Sequence, residues 1–432
     1  MKNKTPTTQL EVKSILNRIQ RFVGFIYSSI RLRGSDGSLR VEVRIEPHRG
    51  IRGKCPTCLK PCPGYDVLEE RRWLFVPLWG IIVHFFYPPR RVECPEHGVR
   101  VEHIPWSQGK RPVTTAMMGF LARWARRLSW RETARSFATS WECVYRSVDW
   151  YVQWGLAHRQ LTGGAALGVD EIHWGKSKGA DSFLTVIYQI DSHCRRLLWV
   201  GKRRTQATLR RGLRALGPEV VAGLLFVCTD MWRPYLNVIA AQAGQALHVL
   251  DRFHITMHLN QAVDQTRRAE SARLRATASS QADHLKKMRW KLLRRGSRVR
   301  GRARIKLNAL VASKLATARA WILQEIFQHF WSYKSLTWSR YVLQDWTWRA
   351  WRSRIEPMQK VARMLRSHQE LLFNWFKAKG EISSGAVEGL NNKIRVVTRR
   401  SYGFRTFDAM ETALYHALGR LPEPDEFTHR FC

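Results

Sequence analysis

The feature that most restricts the fold of this chain is the order of short apolar segments between residues 166 and 250. Alternation and β-branched content predict five of them as strands: residues 166–172, 183–190, 196–200, 220–229 and 247–250. Helical spacing predicts two helices among them: residues 205–216 and 232–241. Three antiparallel strands followed by alternating helix and strand predict a mixed sheet with helices packed against it.

Carboxylates stand at the ends of two of these strands. Asp170 and Glu171 end the first, where the strand is expected to become a loop, and Asp230 ends the fourth. Ligands of such sheets gather at the carboxyl ends of strands, so we expect Asp170 and Asp230 to lie near each other. A shared cation would offset the cost of burying them, although a turn or helix cap explains either aspartate alone. The strand order predicts a ribonuclease-H-like catalytic domain.

A third carboxylate, Glu388, lies in residues 383–393, which read Ser-Ser-Gly-Ala-Val-Glu-Gly-Leu-Asn-Asn-Lys. The two serines can cap a helix that places Glu388, Asn391 and Asn392 on one face. Basic residues continue the helix and are candidate DNA contacts together with the two asparagines: Lys393, Arg395, Arg399 and Arg400. An amphipathic helix with a solvated glutamate is the alternative interpretation.

Taken in order, Asp170, Asp230 and Glu388 form the carboxylate triad of two-metal phosphoryl transferases. Carboxylate oxygens are hard ligands, so the predicted ions are Mg²⁺ or Mn²⁺. We expect Asp170 to contact both ions, and Asp230 and Glu388 to complete one site each.

The charge of the chain indicates a polyanionic partner. It contains 73 Lys and Arg against 34 Asp and Glu, for a net charge of +39 distributed along its length. An anionic membrane would also attract it, but the longest apolar run, residues 73–87, is too short for a span and is interrupted by Pro77, Gly80 and His84. Double-stranded DNA is therefore the expected partner. The N-terminus has no apolar signal-peptide core, so a cytoplasmic, nucleoid-associated protein is expected.

Two knuckles offer ligands for a zinc ion. They are Cys55-Pro-Thr-Cys58 and Cys94-Pro-Glu-His97, and three thiolates with one imidazole suit a tetrahedral structural site. Apolar segments between them predict a β-hairpin in a ribbon-like module. Cys62 and His84 are alternative ligands, which leaves the fourth ligand open, and four residues without metal are the other interpretation.

Three helices are predicted between residues 114 and 155. Ser129 and Glu132 form a capping-box pattern, and Ser140 is a cap for the third helix. This arrangement fits a helix-turn-helix, although a three-helix bundle without DNA contacts has the same spacing. In the DNA-binding case, five arginines are the expected phosphate contacts: Arg126, Arg127, Arg131, Arg135 and Arg146.

The long interval before Glu388 is helical in pattern and predicts an inserted subdomain. Eleven Lys and Arg lie in residues 286–306, and they are expected to contact DNA, with a solvated basic face as the alternative. Asp251 and His254 are candidates for orienting Asp230 or a metal ion, and capping of the following helix by Asp251 is the alternative.

These patterns divide the chain into six predicted segments. They are a basic helical segment (1–50), a zinc module (51–108), a helix-turn-helix (109–160), the first part of the catalytic domain (161–265), a helical insertion (266–380) and the last part of the catalytic domain (381–432). The predicted class is a multidomain mixture of α+β and α/β.

The chain resembles the DDE transposases of bacterial insertion sequences, in particular the ISL3 family. The resemblance covers residues 55–418 and is carried by the knuckles, the helix-turn-helix and five short stretches: residues 168–171, 228–235, 249–254, 383–393 and 400–407. It departs from the family pattern in the extra Cys62 and the long spacer before Cys94. The resemblance implies a transposase that binds terminal inverted repeats, cuts and rejoins DNA, and acts as a homo-oligomer, at least a dimer when it holds two ends.

Two other classes of protein remain compatible with these patterns. A zinc-finger and helix-turn-helix regulator explains the charge but leaves the carboxylates unused. A ribonuclease-H-like nuclease or resolvase uses the carboxylates but not two DNA-binding modules. A tyrosine or serine recombinase, by contrast, needs a nucleophile within an arginine-rich cluster, and the sequence offers only Tyr402, near Arg399 and Arg400.

Overall fold

The computed structural model describes residues 12–35, 38–161, 163–174, 179–378 and 385–424. Strands in these residues are β1 Phe25–Arg33, β2 Arg40–Pro47, β3 Gly64–Val67, β4 Arg71–Leu78, β5 Ile81–Tyr87, β6 Arg90–Cys94, β7 Gly98–Val101, β8 Ala166–His173, β9 Phe183–Ile190, β10 Arg195–Lys202, β11 Phe226–Thr229 and β12 Leu247–Leu250.

Helices in the same residues are α1 Val12–Ile19, α2 Thr115–Ala125, α3 Trp130–Ser136, α4 Trp141–His158, α5 Gln206–Leu216, α6 Pro218–Ala222, α7 Arg233–Gln242, α8 Arg252–Leu274, α9 Ser279–Leu292, α10 Arg302–Val311, α11 Ala316–Gln328, α12 Leu336–Arg352, α13 Glu356–Ser367, α14 Gln369–Lys377, α15 Gly385–Arg400 and α16 Phe407–Leu418. The predicted mixture of helix and sheet is confirmed.

The chain divides into two compact units. One unit runs from Gln160 to Val396, and the other combines the residues before Gln160 with those from Val397 onward. The boundary lies within α15, so residues 381–432, predicted as one catalytic segment, are divided between the units. The serines predicted to cap this helix, Ser383 and Ser384, lie outside the described residues.

The N-terminal unit contains two sheets, ordered β1-β2-β5-β4 and β3-β6-β7. The hairpin predicted between the knuckles is β4 and β5, which pair antiparallel, but it belongs to the first sheet. The predicted helical segment over residues 1–50 is wrong beyond α1, because β1 and β2 follow it. Along β2, the buried residues Val41, Val43 and Ile45 alternate with less buried ones. This two-residue period is that of a strand and not of a helix. Residues 1–11 lie outside the described part of the chain.

Helices α2, α3 and α4 begin at the residues that the sequence indicated. Thr114 and Ser140 accept hydrogen bonds from the backbone N–H groups three residues ahead. Ser129 and Glu132 form the complete reciprocal capping box of α3. Ala138, with φ of 48°, lies in the turn between α3 and α4.

The second unit is built on a five-stranded sheet with the order β10-β9-β8-β11-β12. Strands β8, β9 and β10 pair antiparallel, whereas β11 runs parallel to both β8 and β12. The predicted strand over residues 220–229 is only partly correct, because it begins at Phe226 and α6 precedes it. Gly217 has φ of 95° and Pro218 starts α6, and an apolar run alone does not distinguish strand from buried helix.

Helices α8 to α14 follow the sheet and share an apolar core that includes Trp321, Phe327, Phe330 and Trp346. The helical nature predicted for residues 266–380 is confirmed over its described part. None of the helices formed by the described residues combines the length and apolar character needed to cross a bilayer.

Candidate active site

Three aspartates occupy neighbouring register positions across three adjacent strands. In the parallel pair β8 and β11, Gly168 is opposite Cys228, so Asp170 and Asp230 each lie two residues further along. In the pair β11 and β12, Thr229 is opposite Leu250, which brings Asp251 to the level of Asp230. Asp170 itself lies within β8, which continues to His173, and not at the predicted strand end. Parallel pairing thus places these carboxylates side by side, as the sequence predicted for Asp170 and Asp230.

Asp170 is held through both carboxylate oxygens. Oδ1 accepts the backbone N–H of Glu171 at 2.7 Å, and Oδ2 accepts the side-chain amide of Asn391 at 2.5 Å. His254 places Nε2 3.9 Å from Oδ1. Burial raises the pKa of Asp170, and the nearby charge of Asp230 adds to the rise, against the opposing effects of His254 and these hydrogen bonds.

A guanidinium group joins two further carboxylates. Arg204 places Nε 2.7 Å from Oε1 of Glu171 and Nη2 3.0 Å from Oδ2 of Asp230. Its guanidinium carbon also lies 4.3 Å from the ring centre of Trp232, in cation–π contact. Burial, and then the charge of Asp230, raise the pKa of Glu171 to about 8, with Arg204 acting in the opposite direction. Arg204 is not predictable from the sequence, because it lies just before α5 and carries no local signal of its partners.

Asp251 and His254 begin α8. Asp251 accepts the backbone N–H of Phe253 at 2.7 Å and is the N-cap of the helix, so the capping interpretation is confirmed. His254 Nε2 is also 3.9 Å from Oδ2 of Asp251. The imidazole therefore lies between the Asp251 and Asp170 carboxylates and interacts with both.

Glu388 lies in the first turn of α15 and is exposed. Among the described residues, one ligand atom from each of Asp170, Asp230 and Glu388 cannot be chosen so that all three lie within 4.8 Å of one another. The sheet thus unites the two aspartates, whereas Glu388 is placed by a helix packed on that sheet.

The donor set of this site fits a hard divalent cation. Asp170, Glu171 and Asp230 offer carboxylate oxygens, which do not all lie within 4.8 Å of one another in the described structure, and Arg204 neutralises only part of their charge. Their side chains are 13%, 8% and 13% exposed, so water screens the remaining negative charge poorly. Mg²⁺ and Mn²⁺ prefer oxygen ligands of this kind. The residues present therefore suit the ions that the sequence predicted.

The four predicted zinc ligands converge in the N-terminal unit. One ligand atom from each of Cys55, Cys58, Cys94 and His97 lies within 4.8 Å of all the others. A hydrogen bond from His97 lowers the pKa of Cys94 to about 6, against the opposing effect of burial, so the thiolate form is favoured. Cys62 is buried beside this group without belonging to it. Three thiols and one imidazole in a closed cluster fit a structural zinc ion.

The DNA contacts predicted on and beside helices α2 to α4 are mostly exposed. Arg127, Arg131, Arg135 and Arg146 project to solvent, and Arg146 forms an exposed ion pair with Glu142. Arg126 instead pairs with Glu423 at 3.3 Å and lies over the ring of Tyr151.

The predicted contacts on α15 divide into exposed and engaged residues. The exposed ones are Asn392, Lys393, Arg395 and Arg399. Asn391 is directed at Asp170, and Arg400 donates to the backbone carbonyl of Arg126 at 2.6 Å.

Comparison with known proteins places this geometry in a family. A family model described as a transposase, of the ISL3 type of DDE transposases, matches residues 167–414, more than half of the chain. The transposase for insertion sequence element IS1001 of Bordetella parapertussis is 24% identical over 353 residues, which cover 81% of this chain and 85% of that protein. The transposase for insertion sequence element IS1557 of Mycobacterium tuberculosis (strain ATCC 25618 / H37Rv) is 26% identical over 408 residues, 87% of each chain. The chain belongs to the ISL3 family of DDE transposases.

Proposed function

We propose that this chain is the transposase of an insertion sequence, which binds the terminal inverted repeats of the element, cuts DNA at their ends and transfers the freed strand to a target. The observation that carries this proposal is the placement of Asp170 and Asp230 at one level of adjacent strands within the region matched by the transposase family.

The catalytic domain is proposed to be ribonuclease-H-like, with an inserted helical subdomain over residues 266–380. The strand order β10-β9-β8-β11-β12, antiparallel on one side and parallel on the other, supports this assignment. The helices from α8 to α14, which separate β12 from α15 along the chain, support the insertion.

Asp170, Asp230 and Glu388 are the residues that would hold the divalent ions, Mg²⁺ or Mn²⁺. When bound, such ions activate the attacking hydroxyl and stabilise the departing oxygen of a phosphodiester. The protein itself contributes orientation. Asn391 and the backbone of Glu171 hold the two oxygens of Asp170, and Arg204 and the backbone N–H of Trp232 hold those of Asp230.

The proposed reaction consists of two in-line displacements at phosphorus. Water first attacks the phosphodiester at the end of the element, which releases a 3′-hydroxyl on one side and leaves a 5′-phosphate on the other. The 3′-hydroxyl then attacks a target phosphodiester, so one bond forms as one breaks and no covalent protein–DNA intermediate is required.

DNA recognition is assigned to the N-terminal unit and to the basic helices. A zinc ion held by Cys55, Cys58, Cys94 and His97 would stabilise the small β3-β6-β7 sheet, which has little apolar core of its own. The exposed arginines of α3 and α4 are proposed phosphate contacts at the element ends. The eleven basic residues of 286–306, all exposed except Lys291, are proposed to contact DNA near the active site. We propose that at least a dimer holds two element ends together.

A cleavage and joining assay tests the proposal. Purified protein, Mg²⁺ and a labelled duplex carrying the element's own end are incubated with a target plasmid, for the wild type and for Asp170→Ala, Asp230→Ala and Glu388→Ala. Glu370→Ala is the matched control, because Glu370 is also an exposed glutamate in the first turn of a helix, α14.

We expect specific nicks and joined products from the wild type and from the control, and neither from the three variants, with binding to the end retained by all. Tight binding by the wild type without cleavage would indicate a regulator instead. Cleavage without joining and without preference for the end sequence would indicate a nuclease.

A further inference from the structure

The helix that carries Glu388 is seated on the sheet at Gly168. A β-carbon added at Gly168 would lie 2.6 Å from Cγ2 of Val387, so the absence of a side chain there allows α15 to approach β8 closely. Val387, Leu390 and Ile394 are buried along the same side of the helix. The contact is thus specific to one strand position, two residues before Asp170.

Tyr188 stands beside this contact. It pairs with Gly168 across the antiparallel strands β8 and β9, and its side chain therefore shares the face of the sheet on which Asp170 lies. The ring is fully buried, and its hydroxyl donates to Oδ1 of Asn391 at 2.7 Å. Burial, and then the charge of Asp170, raise the pKa of Tyr188 well above its ordinary value, so the hydroxyl keeps the proton that it donates.

The tyrosine fixes which way the Asn391 amide points. Because Oδ1 accepts from Tyr188, the NH₂ group is turned toward Asp170, where Nδ2 donates to Oδ2 at 2.5 Å. The reverse orientation would set two acceptors, the amide oxygen and the carboxylate, against each other. A chain of two hydrogen bonds therefore runs from β9 through α15 to the central carboxylate on β8.

The neighbouring Asn392 has no such role. It is exposed, and its Oδ1 accepts from Arg395 on the same helix at 2.8 Å. Two adjacent asparagines thus differ in direction, one toward the carboxylates and one toward solvent.

We propose that Asn391 is a positioning residue for the metal site: it orients the shared ligand Asp170 and, through its place one helical turn after Glu388, sets the rotation of α15 that presents Glu388. This assignment rests on the proposed metal-dependent cleavage and gives Asn391 a role other than the DNA contact predicted from the sequence. Because Glu388 lies on a helix and not on the sheet, its position depends on the orientation of α15. The polar contact of Asn391 with Asp170 defines that orientation.

Mn²⁺ binding to the full-length protein without DNA is the first measurement, by calorimetry on the wild type, Asn391→Ala, Asn392→Ala and Tyr188→Phe. We expect Asn391→Ala to weaken Mn²⁺ binding by about tenfold or more, in the range found for residues that orient metal ligands. Tyr188→Phe removes only the hydroxyl that orients the amide and is expected to weaken binding less, in the same direction. Asn392→Ala is the control and should remain within about twofold of the wild type, since it contacts no carboxylate of the site.

Two further readouts separate positioning from DNA contact and from general destabilisation. Binding to the end duplex without divalent cation should be the same for Asn391→Ala and the wild type. In the cleavage assay, Asn391→Ala should require a higher Mn²⁺ concentration for half-maximal rate and recover part of its activity at excess Mn²⁺. A purely structural role would not produce recovery by metal.

The inference is overturned if Asn391→Ala binds Mn²⁺ as tightly as Asn392→Ala, or if it loses DNA binding while metal affinity is unchanged. Should Asn391→Ala fail to fold, Tyr188→Phe decides by the same criterion, because it preserves the asparagine. Failure of the proposed function looks different, since the wild type itself would then show no Mn²⁺-dependent cleavage.

Discussion

Removing the Arg204 guanidinium is expected to destabilise the unit that runs from Gln160 to Val396, in a way that a divalent metal ion reverses. Arg204→Ala leaves Glu171 and Asp230 facing each other without the cation that now contacts both, at 2.7 Å and 3.0 Å. Both carboxylates are largely shielded from water, and burial and the charge of Asp230 raise the pKa of Glu171 to about 8 even beside Arg204. Without the guanidinium Glu171 keeps its proton at neutral pH, and the desolvated charge of Asp230 is no longer offset.

The structure sets the size of the effect. Breaking a buried ion pair by removing one partner costs about 3–5 kcal/mol. Because the Arg204 side chain is 27% exposed and water can partly replace it, we expect the lower end, about 3 kcal/mol. A divalent cation that binds only the folded state adds about 2.7 kcal/mol at a hundredfold excess over its Kd. It should add more to the variant, whose carboxylates have lost their internal counter-ion.

The assay is urea denaturation at neutral pH, with and without added Mn²⁺ and without a chelator that would also remove zinc. Arg203→Ala is the matched control, because Arg203 pairs with Asp181 in a contact where both side chains are more than half exposed. Such surface pairs contribute about 0–1 kcal/mol. The control should therefore lose little stability and respond to Mn²⁺ as the wild type does.

The result that would refute this reasoning is an Arg204→Ala variant whose loss of stability equals that of Arg203→Ala. A large loss that Mn²⁺ leaves unchanged would also refute it, since the guanidinium would then act by packing on Trp232 and not as a counter-ion.

Further perturbations test other parts of the structure. Burial lowers the pKa of His248 from about 6.5 to about 4, so the unfolded chain binds the proton first and stability should fall by about 3 kcal/mol as pH drops from 6.5 to 4. His248→Gln should flatten this part of the pH profile, and an unchanged slope would contradict the assignment. Gly168→Ala should destabilise by about 1–3 kcal/mol through its clash with Val387, whereas Gly389→Ala, which meets nothing within 4 Å, should stabilise α15 by about 0.5–1 kcal/mol. Equal effects of the two on the urea midpoint would argue against close packing at Gly168. Cys94→Ser should lower the zinc content measured by mass spectrometry and the melting temperature, and Cys143→Ser, outside the metal cluster, should change neither.

Local patterns predicted many elements of this chain correctly. The capping box of Ser129 and Glu132 and the cap at Ser140 lie within three residues of the groups that they bind, so their consequences are visible in a short stretch of sequence. The strand order from β8 to β10 follows from alternation for the same reason. Predictions were wrong where a short apolar run fits both helix and strand, as in residues 220–229, or where an amphipathic pattern was extended too far, as after Ile19.

The sequence by itself determined the candidate chemistry: one carboxylate in a strand and another directly after a second strand, a third on a later helix, two cysteine-bearing knuckles and a strongly basic composition. The tertiary structure alone decided the partners of those groups. Asn391 meets Tyr188 and Asp170 across 203 and 221 residues of chain, and Arg204 meets Asp230 across 26. Propensity and periodicity act over a few residues, whereas these contacts exist only because the sheet and its helices bring distant segments together. Which asparagine faces the carboxylates, and which arginine neutralises them, are therefore consequences of packing.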